Sequence, residues 1–185
     1  MKLFIALITG LLVILTNVTP VLAPVQAAEI SGDSGKLSVE LQENTVDERV
    51  VKLKMYLEEL KSPLAPYAQT FVTEADTYEL GDNWSLVAAI AGVESTFGKH
   101  IPRESYNAWG WGIPTGAKSG IGFDNWDHGI EIVTKGLKEK YIDRGADTPE
   151  KMSRIYAPPS KTWAGNVRFF MKKIEDVTVP PKLSI

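Results

Sequence analysis

The sequence predicts an α+β fold that is mostly helix, with one small β-hairpin inserted. Two observations carry the prediction. From residue 47 onward, segment after segment repeats apolar residues at helical spacing. Near the middle, "YNAWGWGIPTGAKSGIGF" (106–123) breaks that period with glycines and aromatics. The segment following residue 46 is long enough to bury a core without crosslinks, so a chain with no cysteine can still fold in an oxidising compartment.

Ahead of that domain, residues 1–27 read as a secretory signal. Lys2 gives a thin positive start, residues 3–18 an apolar core, and Val25-Gln26-Ala27 a small-residue site with cleavage expected after Ala27. An uncleaved membrane anchor is the alternative, but the apolar stretch is short for a span. Either reading exports the rest to the cell envelope or beyond, with no stable membrane insertion once the signal is cut. Residues 28–46, rich in glycine, serine and charge, read as a linker, and 47–185 as one domain.

Within the domain, Asp47 can cap a helix over 47–61, with Val50, Leu53, Leu57 and Leu60 as its apolar face. A second helix starts near Pro66, with Ala68, Phe71, Val72, Ala75 and Tyr78 in register. Asn83 can cap a third, over 84–96. Trp109 to Ile113 and Ile121 to Phe123 then form the two arms of the hairpin. Asp127 can cap the next helix, with Ile130, Val133, Leu137 and Tyr141 on one face and Gly145 as terminator. Pro149 stands at the first position of a short helix ending near Tyr156. A last helix carries Trp163, Val167, Phe170 and Ile174 in register, which makes Trp163 a core residue; Trp84 and Trp126 read the same way.

Charge and composition exclude several functions. The net charge is −3 with both signs interspersed, so no basic run suits nucleic acid. Two histidines, His100 and His128, make a zinc site improbable, and no metal or organic cofactor is expected. No long exposed apolar stripe demands a partner, so a monomer is expected.

Glu94 interrupts the apolar run "AIAGVESTFGKH" (89–100). Val87, Ile90, Ala91 and Glu94 fall at i, i+3, i+4 and i+7, which places the carboxyl on the core stripe in the last turn of its helix. Partial burial and the negative helix end both disfavour its charged form, so the carboxyl could hold and donate a proton near neutral pH. A structural ion pair is the competing reading. Glycines and aromatics downstream suggest an open groove. Trp111, Trp109 and Tyr106 have flat amphipathic faces suited to sugars or peptides, although Trp109 and Trp111 fit a core equally well.

Four motifs in order, "AAIAGVESTFGK", "SYNAWGWG", "FDNWDHGIEIVTKGL" and "IYAPPSKTWAGNVRFFMKKI", resemble the glucosaminidase domains that cut bacterial peptidoglycan, members of the lysozyme-like superfamily. The resemblance spans about residues 83–174. The family's Glu-Ser-x-x-Gly matches Glu94, Ser95 and Gly98. Its Tyr/Asn-rich turn matches Tyr106, Asn107, Trp109 and Gly110, and its late tyrosine-alanine pair matches Tyr156 and Ala157. The chain departs from the family at Ala157-Pro158-Pro159-Ser160, where the family reads Ala-Thr-Asp-Pro.

The resemblance implies a lysozyme-like fold and a hydrolase acting on peptidoglycan glycan strands. Glu94 would be the general acid at a β-1,4 bond between GlcNAc and MurNAc, Tyr156 would position the scissile sugar or stabilise charge, and Tyr106 and Asn107 would shape the groove floor. A second carboxylate is the open question, since ordinary glycoside hydrolysis uses a pair. Glu104 and Asp124 are the freer candidates; Asp127 and Glu131 read as helix-start acids. A lone acid suffices if the substrate's 2-acetamido group attacks, or its 6-hydroxyl, as in lytic transglycosylases. A non-catalytic peptidoglycan-binding module is the alternative from another class.

Overall fold

The computed structural model describes residues 46–112 and 121–181. The signal and most of the linker fall outside the described residues. Residues 43–185 make one compact unit. Its described residues form six α-helices: α1 (Glu48–Glu59), α2 (Ala68–Thr77), α3 (Leu86–Ser95), α4 (Trp126–Lys140), α5 (Pro149–Tyr156) and α6 (Trp163–Glu175). Three single-turn 3-10 helices link them, at Ala65–Tyr67, Gly81–Asn83 and Ile142–Arg144.

The helical part of the expectation holds, and no strand occurs among the described residues. Among the described residues, the two predicted arms meet where the Ile121 N–H donates to the Trp111 carbonyl at 3.2 Å. Ile113, at the end of the first arm, and the turn that follows it lie outside the described residues.

Several helix starts follow from capping chemistry. Asp47 accepts the Arg49 N–H at 2.8 Å, and its carboxylate also holds the Arg49 guanidinium, which bridges to Asp76 in α2. Thr148 caps α5 ahead of Pro149. Two predicted caps are corrected. Asn125, not Asp127, caps α4 by accepting the His128 N–H at 2.9 Å. Asp127 instead accepts from the Thr70 hydroxyl of α2 at 2.6 Å. Asn83 sits in a 3-10 turn and donates to the Asp147 carbonyl, while α3 begins after Ser85 with no side-chain cap. In both places several polar residues adjoin the helix start, and one-dimensional spacing does not say which of them turns toward the free N–H groups.

The core is built around α3. Residues 86–92 are buried on every side of it, so this helix has no polar face. Helix α6 packs on α3, α5 packs on α6, α2 packs on α4, and α1 bridges α2 and α6. Leu53 and Leu57 of α1 are fully buried, so this helix belongs to the domain core although it precedes the region of resemblance. Each such side chain contributes about 1.5–3 kcal/mol by leaving water.

Candidate active site

The site forms where α3 emerges from the core. Thr96, Phe97 and Gly98 all have positive φ, at 53°, 56° and 78°. Two of them are not glycine, so the turn is strained and must be held by packing. Phe97 supplies that packing. Its ring lies edge-on to Tyr56 and Phe170, with centroids 5.6 and 5.0 Å away. It also fills the space beside Gly92, where a Cβ would stand 2.5 Å from the ring. The Ser95 hydroxyl accepts the Gly98 N–H at 2.9 Å and faces the Ala108 carbonyl at 2.8 Å. Ser95 therefore locks both the helix end and the following loop, while its neighbour Glu94 points outward.

Glu94 is exposed, which corrects its assignment to the core stripe. Val87, Ile90 and Ala91 are buried as expected, but α3 is buried all round, so their periodicity marks no particular face. Glu94 is accessible to solvent, yet nearby protein atoms partly desolvate its carboxyl. That desolvation raises its pKa, and one hydrogen bond opposes the rise: the Trp163 indole N–H donates to Oε1 at 2.6 Å. The C-terminal end of α3 acts in the upward direction as well.

Trp163, at the start of α6, is buried and stacks on Tyr156 at the end of α5, with centroids 5.0 Å apart and planes 27° apart. Tyr156 donates its hydroxyl proton to the Trp109 carbonyl at 2.6 Å. Burial, then the Glu94 charge and Tyr141, push this phenol well above its ordinary range, so it stays protonated. Tyr156, Tyr141, Trp111, Gly110 and Gly112 line an open surface pocket of about 200 Å³. The rings of Trp111, Tyr141 and Tyr156 stand 6.0–6.3 Å apart pairwise, and the Lys140 ammonium lies over Trp111 at 5.5 Å. Such a wall suits the flat apolar face of a sugar.

Three predicted groove residues are corrected. Trp109 is fully buried, with its indole N–H donating to the Val87 carbonyl at 2.9 Å. Asn107 is also buried. Its Oδ1 accepts the N–H groups of Trp109 and Trp111, at 3.2 and 3.0 Å, and its Nδ2 donates to the carbonyls of Trp111 and Ile121, at 2.9 and 2.8 Å. A buried asparagine with four partners is a brace for the loop, not a ligand contact. Asn107→Ala should cost about 2–4 kcal/mol, because buried backbone groups lose their partners; chemical denaturation would measure it. Tyr106 is half-buried with its ring edge-on to Trp126, and it does not line the pocket.

The two proposed second carboxylates are each held by a local basic side chain. Glu104 is exposed and pairs with Arg103 at 3.3 Å; Asp124 is exposed and pairs with His128 at 3.2 Å. No other carboxyl contributes to the Glu94 shift. No cluster of three potential metal ligands occurs among the described residues.

Three site residues escape the sequence reading. Tyr141 and Trp163 read there as core, yet one lines the pocket and the other reaches Glu94. A buried indole needs a partner for its N–H, which is the signal that could have flagged Trp163. The third is Gly136. A Cβ there would stand 2.3 Å from the Trp111 ring, so α4 needs hydrogen at this position for that ring to lie against it. Gly136→Ala should displace Trp111 and reshape the pocket while α4 stays helical; tryptophan fluorescence and far-UV circular dichroism would check this.

A comparison with protein-family models matches no family, and a comparison with curated protein sequences matches none.

Proposed function

We propose that this chain is an exported glycosidase of the lysozyme-like class that cleaves β-1,4 bonds between GlcNAc and MurNAc in peptidoglycan. The observation that carries the reading is the Glu94 carboxyl, biased toward its protonated form at the mouth of α3 and tied through Trp163 to the aromatic wall. A carboxyl so biased can protonate a glycosidic oxygen as the bond breaks. The stacked rings would orient the sugar, and the Tyr156 oxygen, its proton already engaged, would accept a hydrogen bond from substrate. Trp111 remains a sugar contact in this reading, joined by Tyr141.

The nucleophile comes from the substrate. Glu104 and Asp124 are engaged with Arg103 and His128, so a lone Glu94 assisted by the substrate's own 2-acetamido group or 6-hydroxyl is the route we assign. The 6-hydroxyl route would make the chain a lytic transglycosylase, and this second reading rests on the same lone carboxyl. Product analysis separates them. Purified peptidoglycan incubated with the protein should yield new reducing GlcNAc ends by mass spectrometry if the glucosaminidase reading holds. Anhydro-muramyl ends would establish the transglycosylase. Tight wall binding with no new ends would overturn both and leave a binding module.

A further inference from the structure

Trp163 is placed to decide which oxygen of Glu94 carries the proton. Its indole N–H is a donor with no acceptor capacity, so the oxygen it contacts, Oε1, cannot also present a proton to it. Oε2 has no intramolecular hydrogen-bond partner among the described residues. The contact is short, at 2.6 Å, and the indole has little freedom to move. It is buried, its ring is stacked on Tyr156, and its backbone N–H donates to the Ser160 hydroxyl at 3.1 Å. Tyr156 is in turn fixed by its bond to the Trp109 carbonyl. One linked set of contacts therefore runs from the buried loop through two rings to a single carboxyl oxygen.

We propose that Trp163 is a positioning residue for Glu94, holding Oε1 as the hydrogen-bond acceptor so that the proton resides on Oε2 and is delivered from there. This rests on the reading of Glu94 as the proton donor. A carboxyl free to rotate would present its proton in many directions; an anchored one presents it in one, and such preorganisation is what positioned catalytic groups provide. The Pro158-Pro159-Ser160 stretch ahead of α6 contributes by presenting Ser160 to the Trp163 backbone.

The groups around the carboxyl make its titration readable. Tyr156 of α5 faces it and stays protonated through the range where a carboxyl titrates. The group contributed by α6 is the indole, which does not titrate, and no charged side chain contributes to the Glu94 shift.

The test is NMR on the full chain, with labelled glutamate carboxyls and indole nitrogens, and it needs no turnover. In the wild type the Trp163 Nε1–H signal should move with the same midpoint as the Glu94 carboxyl, and that movement should vanish in Glu94→Gln. In Trp163→Phe, which keeps a ring on Tyr156 but removes the donor, the Glu94 midpoint should move to higher pH, because the lost bond favoured the charged form. An indole signal that ignores the Glu94 titration, or a Glu94 midpoint unchanged in Trp163→Phe, would overturn the proposal. Should Trp163→Phe fail to fold, the wild-type co-titration decides alone. In cleavage assays the alkaline limb of kcat/KM should also shift upward in Trp163→Phe. Co-titration in a protein that releases no sugar would uphold the anchor and sink the glycosidase reading by itself.

Discussion

Glu94→Gln is expected to lower peptidoglycan cleavage by about 10²–10⁴-fold, the usual contribution of a positioned general acid. Binding to the wall should survive, because the amide keeps the shape of the side chain and can still accept the Trp163 N–H. The pH dependence follows from the same carboxyl. Its folded pKa is raised, and the reaction needs the protonated form, so the wild-type rate should fall as pH rises through that folded pKa. Stability moves in the same direction. A folded pKa above the unfolded one means that the folded protein binds the proton more tightly. That contribution is complete below the unfolded pKa and is lost as pH rises through the folded one. The glutamine variant has no such proton to lose. Its Tm should therefore match or exceed that of the wild type at neutral pH, with any gain disappearing in acid. Thermal melts at several pH values, beside a product assay, check both halves. A variant that cleaves like the wild type would remove Glu94 from the reaction.

Trp109→Ala should destabilise the protein by about 3–5 kcal/mol, the range for deleting a large aromatic from a packed core. The ring is fully buried, tilted against Phe71 and edge-to-face with Phe123, at centroid distances of 6.3 and 6.4 Å. The Val87 carbonyl would lose the indole N–H that caps it. Urea unfolding would show a lower midpoint with nearly unchanged slope. Trp111→Ala makes the contrast. Trp111 is partly exposed at the pocket, so that change should weaken glycan binding with a smaller stability loss. Equal stability losses in the two variants would mean that Trp111 is core as well.

The two tryptophans stand two residues apart on either side of Gly110, and the glycine-rich local sequence does not say which of them is core. Sequence periodicity is informative where a helix has one wet face and one dry face. It located α1, α2, α4 and α6 through Leu53, Phe71, Ile130 and Val167, all buried as expected. It misplaced Glu94, because α3 is wrapped on all sides and its spacing marks no face. It was also silent on the glycine-rich loop, whose shape comes from Asn107 bonding to groups up to 14 residues away. Among caps, spacing narrowed the choice to a few polar residues but did not select Asn125 over Asp127.

The sequence by itself determined that the chain is mostly helical, that its apolar stripes supply a core without crosslinks, and that one acid stands at a helix end beside an aromatic loop. These are local properties, set by period, capping chemistry and composition. The tertiary structure alone decided that Glu94 is open to solvent yet desolvated, that Trp163 donates to it, and that Trp109 and Asn107 support the groove from behind. Those outcomes depend on contacts across long separations, 69 residues between Glu94 and Trp163 and 47 between Tyr156 and Trp109. Which side chains meet is settled by how α3, α5 and α6 pack, and no local pattern encodes that packing.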